Sequence, residues 1–206
     1  MGRSVLVTIK EVYYDGFNHK SHEQQGGSIV RLFIAINFNE VIKDHLTDAV
    51  AWLKSNSTSG KFTRRENLHI TLVFLGEVDE HHLPMIHEAM NGICCRPFQL
   101  AFDGGGSFKR RGGDIYWIGI EDQGYLHQIY QQLGEKLARS GFDQEKRPFK
   151  PHLTIGRQVI VPAEFDQNKF SQIIPPVKTD VNRISLMKSE RIQGQLVYTE
   201  IYAADL

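Results

Sequence analysis

ENLHITLVFLGE, residues 66–77, decides how this chain is read. Its centre is a run of strand-forming apolar residues, yet it carries His69 and Thr71. Side chains alternate across a strand, so residues two apart share a face. His69 and Thr71 therefore stand together on one side. Leu68, Ile70, Leu72 and Phe74 point to the other and supply a core. KPHLTIGR, residues 150–157, repeats the arrangement, with His152 and Thr154 on one face and Leu153 and Ile155 on the opposite one.

The second histidine follows the first by 83 residues. The surrounding pattern repeats at nearly the same offset. VRLFIAINF (30–38) reads as a strand, and NEVIKDHLTDAVAWLKSN (39–56) as a helix capped by Asn39, with Ile42, Leu46, Ala49, Val50 and Leu53 inward. The polar stretch 55–67 reads as a loop before the first histidine strand. In the second copy, DIYWIGI (114–120) is a strand, and 122–141 is a helix with Leu126, Ile129, Tyr130, Leu133 and Leu137 on one face and Gly141 at its end. A loop at 142–151 then leads to the strand 152–156. Between the copies lie a helix over 79–91, capped by Asp79 and stopped by Gly92, and a strand over 97–104. The end, 183–206, reads as a hairpin around Gly194. Ordered elements repeated at a fixed offset indicate internal duplication. The expected fold is α+β and bilobal. A pseudo-twofold duplicated unit forms mainly antiparallel sheets, with helices outside and a central cleft.

Residues 1–29 differ from this body and are read as an extension, with a short strand at 7–14 and a linker at 15–28. Residues 30–206 are read as one bilobal domain, with motifs at 69–72 and 152–155. Lys+Arg and Asp+Glu are both 24, so net charge is zero. That disfavours a protein that wraps a long nucleic acid and points to a small ligand or the end of a polynucleotide. Cys94 and Cys95 are adjacent, a poor geometry for a mutual bridge, and are read as reduced thiols of a cytoplasmic protein. No stretch has the length of a membrane span or the form of a signal peptide.

Two imidazoles on one cleft make an acid–base pair, since histidine titrates near pH 6.5. One takes a proton from a nucleophile and the other gives one to a leaving group. Threonine hydroxyls can donate to oxyanions. The set suits a phosphodiester. Chance places a His-x-Thr about 0.35 times in a chain of this composition, and matched copies in a repeat are much rarer. A lone histidine would be read as a half-buried core residue bonded to a neighbour. The matched pair favours chemistry. A zinc site is the rival, but neither motif holds a carboxylate or cysteine on the histidine face. DGGGSFKRRGGD (103–114) lacks the Gly-Lys-Ser/Thr ending of a phosphate loop and is read as a mobile loop. The remaining histidines, at 19, 22, 45, 81, 82, 87 and 127, have no matched partner and are read as ordinary.

RLFIAINF, ENLHITLVFLGEV, YWIGI, PFKPHLTIGR and ISLMKSE with VYTEIY resemble, in order and spacing, the two-histidine phosphoesterase superfamily. Within it they are similar to the RNA 2′,3′-cyclic phosphodiesterases, also labelled 2′-5′ RNA ligases. The resemblance covers residues 30–203 and leaves 1–29 without a counterpart. It implies metal-independent opening of RNA 2′,3′-cyclic phosphate ends to 2′-phosphomonoesters, with no cofactor. It further implies His69 as proton donor to the departing 3′-oxygen, His152 as the base that activates water, and Thr71 and Thr154 as holders of phosphate oxygens. Arg157 stands where the family often has a basic residue. Strict alternation points it away from the histidines, unless Gly156 lets the backbone turn. Arg65 and Lys150 are further candidate phosphate contacts, with Lys61, Arg64, Lys146 and Arg147 beside them. Phe108 is a candidate for stacking on a base. The expected partners are RNA 3′ ends with a cyclic phosphate or small cyclic nucleotides, and a monomer is expected. The alternative readings are 2′-5′ ligation, hydrolysis of a small cyclic nucleotide, and a non-catalytic RNA-end binding module.

Overall fold

Two antiparallel sheets, described in a computed structural model, carry the chain. The structure describes residues 27–143, 145, 147–174 and 176–206, so the strand and linker read at 7–28 lie almost wholly outside it, as does Lys146. The first sheet is built from β1 (Ile29–Asn37), β3 (His69–Asp79), β8 (Arg183–Ile192) and β9 (Gln195–Asp205), in the order β3-β1-β8-β9. The second is built from β2 (Ser59–Phe62), β4 (Phe98–Phe108), β5 (Asp114–Glu121), β6 (His152–Ile160) and β7 (Lys178–Val181), in the order β2-β6-β5-β4-β7. The helices are α1 (Glu40–Ser55), α2 (Leu83–Asn91), α3 (Tyr125–Arg139) and α4 (Gln167–Gln172).

The two copies are visible as β1-α1-β3 and β5-α3-β6. In each, the helix connects two strands that then pair antiparallel, β1 with β3 and β5 with β6. Helix α1 begins as its sequence dictates: the Asn39 side chain accepts from the Ile42 amide at 3.0 Å. Its five apolar stripe residues are all buried. Helix α3 buries Leu126, Ile129, Leu133 and Leu137, while Tyr130 stacks on Phe149 at 4.4 Å between ring centres. Gly141 follows with φ 86°, the left-handed conformation that glycine adopts freely.

Three readings change. The helix expected from Asp79 starts as a 3-10 turn, Glu80–His82, because Asp79 accepts from the His81 amide only two residues on. Gly92 stops α2 as expected, with φ −80° and so without a left-handed turn. The stretch 103–114 is mostly strand, since β4 continues through its glycines to Phe108, paired with β5. The polar stretch before the first motif contains β2, which pairs with β6.

Phe74 is a correction of a different kind. The β1–β3 register slips twice, between Leu32 and Phe33 and between Ile34 and Ala35. Each slip is a bulge that inverts alternation beyond it. Leu68, Ile70 and Leu72 are buried as expected, but Phe74 is 55 % exposed and lies under the Arg31 guanidinium at 4.9 Å.

Candidate active site

The motif strands β3 and β6 lie against each other, one from each sheet. On β1 the core takes Leu32, Ile34 and Ile36. Phe33, Ala35 and Met187 form a separate small cluster, joined by Tyr198, on the opposite face. His69 is on this second face, opposite Asn37, and its ring packs on Phe33 at 4.9 Å and edge-on against Tyr198 at 5.2 Å. His152 is flanked likewise: Phe108 meets it edge-on at 5.3 Å, and Trp117 lies 5.4 Å behind Phe108.

Both imidazoles are held in the same way. His69 Nδ1 bonds the Asn67 carbonyl at 2.7 Å, and His152 Nδ1 bonds the Lys150 carbonyl at 2.6 Å. A carbonyl only accepts, so each Nδ1 carries the proton and each Nε2 is the nitrogen left for chemistry. His69 Nε2 is 3.0 Å from Thr71 Oγ1, whose hydroxyl donates to it while the ring is neutral. Asn67 is itself buried and anchored, its Nδ2 donating to the Leu196 carbonyl on β9 at 2.9 Å.

Electrostatics follow from this enclosure. The His69 pKa is lowered to about 4, mainly by burial, which outweighs the opposing Asn67 carbonyl, with the Arg157 and His152 charges acting in the same direction as burial. The His152 pKa is also lowered, first by burial and then by Arg157, against the Lys150 carbonyl. With nothing bound, both rings are thus neutral near pH 7. An anion between them would favour the protonated forms.

Arg157 reaches this group because of a bulge. The β5–β6 register slips around Ile155 and Gly156, and the two residues are buried in succession. Gly156 makes that feasible: a Cβ there would stand 2.7 Å from Val159 Cγ2 and 3.3 Å from Leu53 Cδ2. Parity is inverted after it, so Arg157 projects on the histidine side, where its charge acts on His69, His152 and Tyr198.

The structure therefore brings His69, Thr71, His152, Arg157 and Phe108 to one cleft. Thr154 shares the face of His152, and its carbonyl accepts from Thr63 Oγ1 at 2.9 Å. Lys150 is exposed at the entrance to β6, and its carbonyl holds His152. Arg65 does not join them: its guanidinium is taken by Glu40 and Asp44 of α1. Arg64 is likewise paired with Glu66, and Arg147 with Glu145. Sequence reasoning missed Phe33, Tyr198, Trp117 and Asn67. Their roles arise from cross-strand register and from the β8–β9 hairpin reaching residues 64–67, signals a linear reading does not contain. Among the described residues, no three His, Cys, Asp or Glu side chains converge as a metal site would require.

Comparison with known proteins identifies the family of the chain. The family model described as 2′-5′ RNA ligase superfamily matches residues 42–193. A Thermotoga maritima protein named RNA 2′,3′-cyclic phosphodiesterase is 31 % identical over 179 residues, covering 84 % of this chain and 94 % of that one. One of the same name from Archaeoglobus fulgidus is 38 % identical over 129 residues, 62 % of this chain and 72 % of that one. Among solved structures, Escherichia coli LigT complexed with 3′-AMP superposes with a TM-score of 0.73 at 27 % identity, covering 87 % of this chain and 99 % of that chain. In repeat, cleft and sequence, this chain belongs to the 2′-5′ RNA ligase superfamily.

Proposed function

We propose that the protein hydrolyses RNA 2′,3′-cyclic phosphate ends to 2′-phosphomonoesters. The observation that carries this is the pair of imidazoles, each with Nδ1 tied to the carbonyl two residues before it and Nε2 left for proton transfer. The relatives named RNA 2′,3′-cyclic phosphodiesterase supply the substrate class.

The steps follow from the groups present. The anionic cyclic phosphate enters beside Arg157 and raises the pKa of the neighbouring rings. His69 becomes protonated at Nε2, and Thr71, released from that nitrogen, turns its hydroxyl to a phosphate oxygen. Thr154, on the other strand, offers its hydroxyl to a second phosphate oxygen. His152 Nε2 takes a proton from water as the oxygen attacks phosphorus. The P–O3′ bond breaks, and His69 Nε2 gives its proton to the departing 3′-oxygen. Phe108 offers an aromatic face to the terminal base. The assignment of donor to His69 rests on the family motif, since the near-symmetry of the site favours neither ring.

The test is a short RNA ending in a 2′,3′-cyclic phosphate, incubated with chelator, with 2′- and 3′-phosphate products resolved. The wild type should yield 2′-phosphate. His69→Gln and His152→Gln should each lower turnover by about 10²–10⁴. Full activity in either variant would overturn the reading, as would tight binding with no turnover by the wild type.

A further inference from the structure

Strands β2 and β6 set Lys61 directly opposite Arg157. Residues opposite each other in an antiparallel pair project from one face, with Cβ atoms about 4.5–5.5 Å apart. The neighbouring pair, Phe62 with Gly156, turns to the core: a Cβ on Gly156 would stand 3.5 Å from Phe62 Cδ1. Lys61 therefore projects on the face that carries Arg157 and the histidine motif. Because β2 is the outermost strand of its sheet, Lys61 stands at the rim of the cleft.

Two cations in register repel, and sheets normally avoid that pairing or place a counter-charge beside it. Here both side chains are exposed, and no carboxylate pairs with either among the described residues. The adjacent cations Arg64 and Arg65 are, by contrast, satisfied by Glu66, Glu40 and Asp44. Arg157 already acts on both imidazoles. An anionic chain leaving the histidines therefore meets Arg157 first and Lys61 next, one strand further out.

We infer that Lys61, beside Arg157, holds a second phosphate: the phosphodiester that joins the cyclic-ended nucleotide to the rest of the RNA. This rests on the hydrolytic reading above and extends it from the end group to the chain. The cleft distinguishes an oligonucleotide from a mononucleotide by one charge contact at its rim. A single contact of this kind is compatible with the zero net charge of the chain.

The experiment compares kcat/KM on a ribonucleoside 2′,3′-cyclic phosphate with that on a dinucleotide ending in the same group. Lys61→Ala should lower the dinucleotide-to-mononucleotide ratio about two- to fivefold at low salt, the range of an exposed ion contact. Lys61→Arg should restore it. The salt dependence of dinucleotide KM should weaken by about 0.7 in logarithmic slope, one phosphate on a single strand. An unchanged ratio, or a parallel fall on both substrates, overturns the second phosphate site while leaving hydrolysis standing. A wild type that opens neither substrate removes the hydrolytic reading itself, and the Lys61 site with it.

Discussion

Each histidine in this cleft is positioned by a carbonyl two residues before it, and those carbonyls are not equivalent. Lys150 is exposed, whereas Asn67 is 6 % exposed and tied through its amide to Leu196 of β9. Asn67 thus links the β8–β9 hairpin to the ring of His69, which Tyr198 of the same hairpin also touches. Asn67 is a positioning residue: it reaches the reaction only through the orientation and tautomer of His69. Asn67→Ala removes the anchor, and Asn67→Asp keeps the shape but replaces the donor with a second acceptor facing Leu196 O. Both should cost stability of about 1 kcal/mol, the net worth of the part-buried hydrogen bond to the Leu196 carbonyl. Both should also lower kcat more than they raise KM. Nitrogen NMR should show the His69 ring losing its single Nδ1–H form. Wild-type kcat and an unchanged ring spectrum in Asn67→Asp would remove this role.

Bulges decide which side chains the motif strands present. In β3 the slip between Thr71 and Val73 turns Phe74 out to solvent, and in β6 one turns Arg157 towards the histidines. The alternation that placed His69 with Thr71 and buried Ile70 and Leu72 was readable from residue order, because it is local. So was the apolar stripe of α1 with its Asn39 cap. The bulges were not readable, since a slip is fixed by the partner strand and by what fills the space behind it. Gly156 was the one hint in the sequence, and its meaning lies in contacts with Val159 and Leu53 that no local pattern records. Gly156→Ala tests this. Valine is stiff at its first torsion, so a methyl 2.7 Å from Val159 Cγ2 cannot be absorbed by that side chain alone. The strand must shift. Overpacking of this sort typically costs about 1–3 kcal/mol, and Arg157 should lose its place beside the imidazoles. The expected outcome is a lower denaturation midpoint together with a rise in KM for the cyclic phosphate. A variant with wild-type stability and KM would show that the bulge does not depend on glycine.

Duplication gives the molecule its two histidines, but exchange of strands gives it one cleft. The strand β4 follows the first copy in the chain and pairs with β5 of the second; β8 follows the second and pairs with β1 of the first. Each sheet is completed by a strand following the other copy, which locks the motif strands β3 and β6 against each other. Offset and order disclosed the duplication. The exchange was hidden, because strand partners at long range leave no periodic trace, and β7 and α4 fell in a stretch without clear signal. The cost of this closure is two imidazoles desolvated together beside an arginine. In the unfolded chain a histidine binds a proton near pH 6.5, whereas folded His69 does so only near pH 4. Between those values the unfolded state binds more protons, so folding stability falls as pH falls. It is fully present above the unfolded value, and His69 alone accounts for up to ~3 kcal/mol of the loss by pH 4. His152, also lowered, adds in the same direction. Denaturant unfolding at pH 7.0 and pH 4.5 should therefore show a steep acid loss in the wild type, and a clearly smaller one in His69→Gln, which has no proton to take up. Equal losses in the two proteins would mean that the acid sensitivity lies elsewhere, and that the His69 ring is not held neutral by the cleft.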